Sequence, residues 1–496
     1  MRLFLSEVQG IGSNVYLFLL YSVVTVLVFR MLQEKFRTGW LFVSSILFYV
    51  VCSPVFLLLL LGETVVGWLI GQHLSDAEEF REQKRADHRG RNEKKKRFLI
   101  FGVALCIGIL FFFKYYNFFA DCFRFSENGL LIPLGISYYT FRIVSYMADI
   151  YQGKRAPEPS FLVYAVYVMF FPQLLSGPIA RSEGMTERMH TGMETKASDL
   201  EAGIRRIAAG MFMKVVIADR LSAYVTTVFA APEDYPALAA WIGAVLYSIQ
   251  LYCDFAGYSE IAIGITRCFG FTCPDNFLRP YLSGNMKEFW RRWHISLSSW
   301  LRDYIYIPCG GSRTDRRWKI KRNVMLTFAA CGLWHGSSVK YLVWGLYHGI
   351  WNILTPRNNH KERKDKRVCA AGKAVSGIRK LLSGLLTFLI AMFGWILFKA
   401  ESFSAAAHYV QCMFRGFAVN LMTIQAAVLP FTGDNSCASY ALSIGILILI
   451  LFFSEIYDEK KGIGAEQYSN MRIGFLTVLV VLFGASGTGS FLYAGY

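Results

Sequence analysis

The chain has 496 residues, of which 54% are hydrophobic and only 18% are charged, and its formal net charge is +17. A soluble protein of this length would carry more charge and divide into two or three domains, and its basic excess would suggest nucleic-acid binding. Here the basic runs alternate with apolar stretches of about 20 residues, the length that crosses a bilayer. The composition therefore favours a multi-pass membrane protein without a nucleic-acid partner, whose lysine- and arginine-rich loops face the cytoplasm.

The first part of the chain predicts six spans and one charged loop. The candidate spans are residues 15–33, 40–52, 54–73, 98–120, 130–150 and 161–180. The first run is too long for a cleavable signal peptide and lacks a small-residue cleavage site, so we expect it to remain as a span. The loop at residues 74–97 has a basic excess, which predicts a cytoplasmic location and an extracytoplasmic N-terminus. Arg142 and Asp149 suit a fifth span that lines the bundle interior, and the prolines near the end of the sixth should break it.

The next segment of the chain is amphipathic and then apolar. Residues 200–230 place charged side chains among apolar ones, which predicts a helix lying partly in the membrane interface. Residues 237–270 form a further long span, in which Asp254 and Glu260 are embedded. Carboxylates in such a span are expected to face protein or water, because they are costly in lipid.

The richest sequence covers residues 276–354, and we expect the catalytic core region there. A basic stretch from Arg313 to Arg322 lies inside it and is predicted to be cytoplasmic, and a second basic loop at residues 356–378 follows it. The remaining candidates are spans at residues 380–399, 438–456 and 471–493 and a weaker interfacial or re-entrant segment at 402–430.

Three of the eight histidines, His294, His335 and His348, lie within 55 residues of apolar, tryptophan-rich sequence. His335 is flanked by Trp334 and Gly336. An imidazole titrates near neutral pH and can take a proton from a hydroxyl nucleophile, and close-packed glycines would let a substrate chain approach it. A structural histidine bonded to a backbone carbonyl is the alternative, and the local sequence leaves both interpretations open.

His294 belongs to an aromatic pattern with three- and four-residue steps, which predicts one helix over residues 287–307. The charges in this segment favour a re-entrant or enclosed helix over a plain transmembrane one. An interfacial aromatic belt with arginines reaching to water is the alternative. Asp303 is a candidate to orient an imidazole or to form an ion pair.

The other candidate groups have structural interpretations. His348 lies on an apolar helix and is interpreted as a hydrogen-bonded core histidine. The 11 cysteines show neither paired metal-ligand spacing nor a disulfide framework, so we expect no metal site.

Several sequence blocks together resemble the membrane-bound O-acyltransferase family, in particular the branch with the alginate O-acetyltransferase membrane subunit and related bacterial polysaccharide acetylation proteins. The blocks are IPLGISYYTFRIVSYMADIYQG, FFPQLLSGPIAR, YCDFAGYSEIAIGITRCFGF, NFLRPYLSGNMKEFWRRWHISLSSWLRDYIYIPCGGSR and GLWHGSSVKYLVWGLYHG. The resemblance is good over residues 40–355 and loose in the tail. WRRWHISLSSWLRDYIYIP and GLWHG are highly specific as a pair. Cys309 stands where the family usually has leucine, a change that does not touch the implied chemistry.

The resemblance implies an all-α polytopic membrane protein with about 11 transmembrane or re-entrant helices around a central tunnel, in one domain over residues 1–496. It implies that His335 is the catalytic histidine and that His294 is a second one near the same cavity. The implied reaction moves an acyl group, expected to be acetyl, from a cytoplasmic thioester to a hydroxyl group in cell-surface polysaccharide O-acetylation. No bound cofactor is expected, and acetyl-CoA is the expected donor substrate.

The resemblance also implies a setting and partners. The chain is expected in the bacterial cell membrane, with an acyl-CoA or an acyl carrier as donor and a separate extracytoplasmic acyltransferase that completes delivery to the polymer. The alternatives are D-alanyl transfer to teichoic acid from a carrier protein, whose branch shares the two histidine blocks, and transport of a polysaccharide precursor. The sequence identifies neither the acceptor polymer nor the hydroxyl position.

Overall fold

The computed structural model describes residues 14–74, 93–123, 130–314, 316–356, 370–432 and 436–485. All regular secondary structure in these ranges is helical, and no strand occurs in them. A helix satisfies its backbone hydrogen bonds within one segment, which is why it suits lipid. The predicted all-α class is confirmed. The predicted loops at residues 74–97 and 356–378 lie largely outside the described residues.

Four long apolar helices come first. They are α1 (Val15–Met31), α2 (Glu34–Cys52), α3 (Leu57–Leu74) and α4 (Glu93–Phe123). The side chain of Asn14 accepts hydrogen bonds from the backbone N–H groups of Tyr16 and Leu17 and thereby fixes the start of α1. Ser53 and Pro54 separate α2 from α3. These helices match the first four predicted spans.

The next helices are α5 (Ile136–Tyr151), α6 (Phe161–Met169) and α7 (Met185–His190). As predicted, α5 lies in the protein interior, where Arg142 donates hydrogen bonds to the carbonyls of Tyr167 at 3.1 Å and Gln173 at 2.8 Å. α6 is shorter than the span predicted at residues 161–180. It ends at Met169, because Pro172 in the following turn has no N–H to continue the helix.

A long hairpin follows. It consists of α8 (Ala197–Met211), a π-helical segment (Phe212–Ala218), α9 (Asp219–Ala230) and α10 (Ala237–Cys268). The segment predicted to lie partly in the interface is buried throughout its π-helical part. The end of α8 packs closely against α10 at Gly210 and Gly257, since a Cβ on either glycine would meet the carbonyl of the other. There Lys214 donates hydrogen bonds to Asp219 at 2.7 Å and Asp254 at 2.6 Å.

The core region contains α11 (Met286–Arg292), α12 (Ile295–Leu301), a π-helical turn (Arg302–Tyr306), α13 (Arg317–His335) and α14 (Val339–Leu354). The prediction of one helix over residues 287–307 is wrong, because the chain breaks at His294. The backbone N–H of Ile295 donates to the carbonyl of Asn276 at 2.9 Å, so the loop before α11 takes over a bond that a continuous helix would have made.

The last helices are α15 (Ala370–Lys399), α16 (Phe403–Phe414), α17 (Leu421–Val428), α18 (Cys437–Lys461) and α19 (Asn470–Phe483). Six helices of the described residues are long and apolar enough to cross a membrane. They are Glu34–Cys52, Pro54–Leu74, Glu93–Ala120, Ala237–Cys268, Gly377–Lys399 and Cys437–Lys461. Four shorter apolar helices accompany them, so the chain is a polytopic membrane protein.

The basic segments define two faces. α13 leads away from the basic stretch at residues 313–322, α14 returns to the basic loop at 356–378, and α15 leads away again. Lys340 at the start of α14 donates a hydrogen bond to the carbonyl of Ala400, just after α15, at 2.6 Å. The α13–α14 turn and the end of α15 therefore lie together on the face opposite the basic loops, which we expect to be extracytoplasmic.

Candidate functional site

His335 is the last residue of α13 and is only 3% exposed. After Gly336 the chain turns, and α14 begins at Val339. The two helices approach closely because a Cβ on Gly332 would collide with the carbonyl of Tyr341. Gly332 thus permits the close packing of α13 against α14. It does not provide the room for a substrate chain that the sequence suggested.

Aromatic rings enclose the imidazole of His335. The ring centroids of Trp334, Trp344 and Phe398 lie at 4.9, 5.0 and 5.2 Å, all edge to face. A dry surround of this kind strengthens the electrostatic interactions of any polar group inside it.

Two side chains of α4 bind the carbonyl end of α13. Lys114 is 6% exposed and donates a hydrogen bond to the carbonyl of Trp334. The hydroxyl of Tyr115 donates to the carbonyl of Leu333 at 2.8 Å. The last carbonyls of a helix lack intrahelical partners and carry partial negative charge, so a cation there stabilises the helix end that bears His335. Sequence reasoning missed Lys114, although a lysine within an apolar span was the available signal.

His294 occupies the break between α11 and α12 with φ 43°, a conformation that is uncommon for residues other than glycine. Its Nδ1 lies 3.1 Å from Oδ1 of Asn276, which also accepts a hydrogen bond from the hydroxyl of Ser296 at 2.9 Å. Because the amide oxygen accepts, Nδ1 carries the proton and Nε2 presents a lone pair. Nε2 is buried and has no hydrogen-bond partner among the described residues.

The structure brings all three predicted histidines together, with Trp334 between His294 and His335 and Trp344 between His335 and His348. Centroid distances are 5.8 Å from His294 to Trp334, 4.9 Å from Trp334 to His335, 5.0 Å from His335 to Trp344 and 4.9 Å from Trp344 to His348. His348 is buried as predicted, but neither of its ring nitrogens has a hydrogen-bond partner within the described part of the chain.

Asp303 does not orient an imidazole. Its carboxylate lies 3.2 Å from Arg181 and 2.8 Å from Arg302, so it forms the ion pair that the sequence left as one option.

A cavity of about 690 Å³ opens among α11, α12, α13 and α14. Five basic side chains line it: Lys287, Arg291, Arg302, Arg317 and Lys321. The cavity follows α13 from Arg317 to Cys331, a distance of about 21 Å at the helical rise per residue. Cys331 lies one turn before His335. The cavity therefore combines an anion-attracting wall near the basic loops with an inner end close to the histidine.

Comparison with known proteins gives one family match. The profile of the MBOAT, membrane-bound O-acyltransferase family, matches residues 152–354. This range holds α6 to α14 and includes all three histidines of the candidate site.

Several curated proteins are similar to large parts of this chain. Probable alginate O-acetylase AlgI of Pseudomonas aeruginosa is 35% identical over 413 residues, which cover 81% of this chain and 74% of that protein. Peptidoglycan O-acetyltransferase of Helicobacter pylori is 29% identical over 506 residues, 92% of this chain and 91% of that protein. Teichoic acid D-alanyltransferase of Bacillus subtilis is 30% identical over 284 residues, 56% of this chain and 71% of that protein.

Proposed function

We propose that this chain, which belongs to the membrane-bound O-acyltransferase family and is a membrane O-acyltransferase, transfers acetyl groups from cytoplasmic acetyl-CoA to hydroxyl groups of a cell-surface polysaccharide. The similarity to an alginate O-acetylase and a peptidoglycan O-acetyltransferase, which together span most of the chain, supports a polysaccharide acceptor.

The basic cavity supports acetyl-CoA as the acyl donor. Coenzyme A is a polyanion, and the guanidinium and ammonium groups of the cavity wall suit its phosphates. With the phosphates near Arg317 and Lys321, the pantetheine arm would run along α13 toward Cys331. The thioester carbonyl would then lie near His335, one turn farther on.

The reaction needs a base and a dry pocket. The imidazole of His335 removes the proton from the acceptor hydroxyl while the hydroxyl oxygen attacks the thioester carbonyl. The new C–O bond forms, the C–S bond breaks, and the imidazolium of His335 gives its proton to the leaving thiolate, which departs toward the cytoplasm as the thiol of coenzyme A. The rings around His335 keep water from competing with the acceptor.

His294 has a positioning role in this proposal. With Nδ1 held by Asn276, its buried Nε2 can accept a hydrogen bond from the acceptor hydroxyl or another donor group of the substrates. Trp334 lies between the two histidines and packs against both rings.

The setting completes the proposal. We place the chain in the bacterial cytoplasmic membrane, with an extracytoplasmic acyltransferase as the partner that carries the acetyl group to the polymer. The hydroxyl that attacks the thioester would then belong to this partner, which receives the acetyl group at the face that holds the α13–α14 turn and passes it to a hydroxyl of the polymer.

The test replaces His335 by alanine and measures ester-linked acetate on the cell-surface polymer. We expect a loss of about a hundredfold or more, as for removal of a general base, at an unchanged amount of protein in the membrane. His73→Ala is the control, because His73 lies at the end of α3, far along the chain from the candidate site, and hydrogen-bonds the carbonyl of Leu69 in its own helix. Acetylation that persists in His335→Ala would remove this histidine from the mechanism.

A second experiment separates acetyl transfer from D-alanyl transfer, the alternative favoured by the 30% identity to the Bacillus subtilis enzyme. Purified membranes receive labelled acetyl-CoA in one reaction and a carrier protein charged with D-alanine in another. Label from acetyl-CoA in the polymer supports the proposal, whereas label from the charged carrier alone replaces it.

A further inference from the structure

Three metal-ligand atoms meet at a place that the acyl-transfer chemistry does not use. Glu233 lies in the short 3₁₀ turn Pro232–Asp234 between α9 and α10, and His408 and Cys412 lie one turn apart on α16. Nε2 of His408 is 3.0 Å from Oε2 of Glu233 and 3.7 Å from Sγ of Cys412. One ligand atom from each of the three side chains lies within 4.8 Å of the others.

Two of the three distances between the ligand atoms lie close to those of a tetrahedral zinc site. With Zn–N and Zn–O near 2.0 Å, Zn–S near 2.3 Å and tetrahedral angles, the N···O edge is about 3.3 Å and the N···S edge about 3.5 Å. The observed 3.0 and 3.7 Å need shifts of a few tenths of an ångström. A thiolate, an imidazole and a carboxylate form a ligand set that favours zinc over magnesium or calcium.

The exposure of the three groups also suits an ion. Cys412 is 7% exposed and is the buried member of the cluster. The side chains of His408 and Glu233 are 49% and 50% exposed and flank it. A zinc ion held by these three groups would have a fourth coordination position left for water.

A plain histidine–glutamate pair is the simpler explanation, and the chain contains one for comparison. His190 lies 2.7 Å from Glu158, and its side chain is 46% exposed. That pair belongs to no such three-ligand group among the described residues. The sulfur of Cys412 is therefore what distinguishes the cluster on α16.

We propose that Glu233, His408 and Cys412 form a site for a divalent metal ion of the zinc type, which ties the α9–α10 turn to α16. Binding releases the thiol proton of Cys412 and leaves one coordination position to water. α16 follows α15 directly, so the site lies on the face opposite the basic loops and would take its ion from outside the cytoplasm.

Hydrogen bonds to α10 hold α16 in place without the ion. Ligand variants can therefore be compared with the wild type. Tyr409 donates a hydrogen bond to the carbonyl of Ala240 at 2.8 Å, and Trp241 donates one to the carbonyl of Met413 at 2.9 Å. These contacts fasten α16 to α10 on their own. Variants of the three ligands are therefore expected to fold.

The experiment uses the full-length, tag-free protein in detergent, depleted of metal with a chelator and then dialysed against Zn²⁺. We expect one zinc per chain in the wild type and none in His408→Ala or Cys412→Ser. Glu233→Gln, which keeps the hydrogen-bonding capacity but loses the charge, should weaken binding by more than about tenfold. His190→Ala is the matched control and should bind zinc as the wild type does.

Replacing zinc by Co²⁺ tests direct ligation. A thiolate-to-cobalt charge-transfer band should be present in the wild type and in His190→Ala, and absent in Cys412→Ser. No saturable zinc in the wild type, or an unchanged band in Cys412→Ser, would overturn the proposal.

Discussion

At the scale of single residues, the end of α13 that bears His335 is held by a side chain far away in the sequence. Lys114 binds the carbonyl of Trp334, immediately before His335. The contact joins two positions 220 residues apart, so no local pattern predicts it. Under the proposed function, the ammonium group fixes the direction in which α13 presents its last residue.

Replacing Lys114 by methionine tests this role. The substitution leaves the carbonyl of Trp334 without its charged donor and removes a hydrogen bond that contributes about 1.5–3 kcal/mol. Because this bond positions His335, we expect kcat to fall about tenfold or more. The KM for acetyl-CoA should change little, because Lys114 is not among the residues that line the basic cavity.

Lys96→Met on the same helix is the control, since Lys96 forms an exposed ion pair with Glu93 at the other end of that helix. Kinetic constants of Lys114→Met that equal those of Lys96→Met would show that the contact has no part in positioning.

His348 illustrates the opposite case, a buried polar ring that lacks partners among the described residues. An unpartnered polar group in an apolar site costs about 1–3 kcal/mol. His348→Leu should therefore unfold in detergent at the same or a higher temperature than the wild type and keep acetyl transfer. A large loss of activity with unchanged thermal stability would instead assign His348 to the chemistry.

At the scale of helices, the hairpin of α13 and α14 depends on glycine. A Cβ on Gly332 would meet the carbonyl of Tyr341, and a Cβ on Gly345 would meet the carbonyl of Phe328. Backbone atoms cannot swing aside as side chains do. Gly332 and Gly345 each begin a Gly-Leu-aromatic-His-Gly sequence, at residues 332–336 and 345–349. At the first glycine of each sequence, α13 and α14 touch through their backbones.

Gly332→Ala should separate the hairpin and lower stability by about 1–3 kcal/mol, the cost of overpacking. Thermal unfolding in detergent measures the effect. Gly445→Ala on α18 is the control, because nothing lies within 4 Å of the added Cβ and alanine is the better helix former. Equal unfolding temperatures of the two variants would contradict the close approach.

Helix boundaries show where sequence patterns mislead. The aromatic spacing over residues 287–307 predicts one helix, yet the chain breaks at His294. The break is stabilised by Asn276, which binds both the backbone at Ile295 and the ring of His294. A periodic pattern records which face is apolar, and it does not report a hydrogen-bond partner from a preceding loop.

At the scale of the whole molecule, the charges are segregated. The basic cavity lies beside α13, whose first residues belong to the basic stretch at residues 313–322. Such a wall attracts anionic substrates and weakens with added salt.

Charge reversal at Lys321 tests the cavity. Lys321→Glu should raise the KM for acetyl-CoA about tenfold at low salt, as expected for a like-charge contact near the surface, with little change in kcat. Arg415→Glu, at the end of α16, is the matched reversal away from the cavity. An unchanged KM in Lys321→Glu would move the donor site elsewhere.

The orientation of the chain can be tested at an exposed cysteine. Cys309 is exposed and precedes the basic stretch at residues 313–322, so an impermeant thiol reagent should label it only after the cells are opened. Glu401→Cys in a Cys309→Ser background places a thiol on the opposite face and should be labelled in intact cells. The reverse pattern would invert the topology.

The sequence by itself determined the membrane character, the all-α class and the family, because these depend on composition, run length and blocks of adjacent residues. It also selected His294, His335 and His348 as a group. Only the tertiary structure decided that tryptophans separate the three rings, that Lys114 holds the end of α13, and that Glu233 meets His408 and Cys412. Each of these contacts joins segments that are distant in the sequence. Helix packing determines such contacts, and the local periodicity of the sequence does not report them.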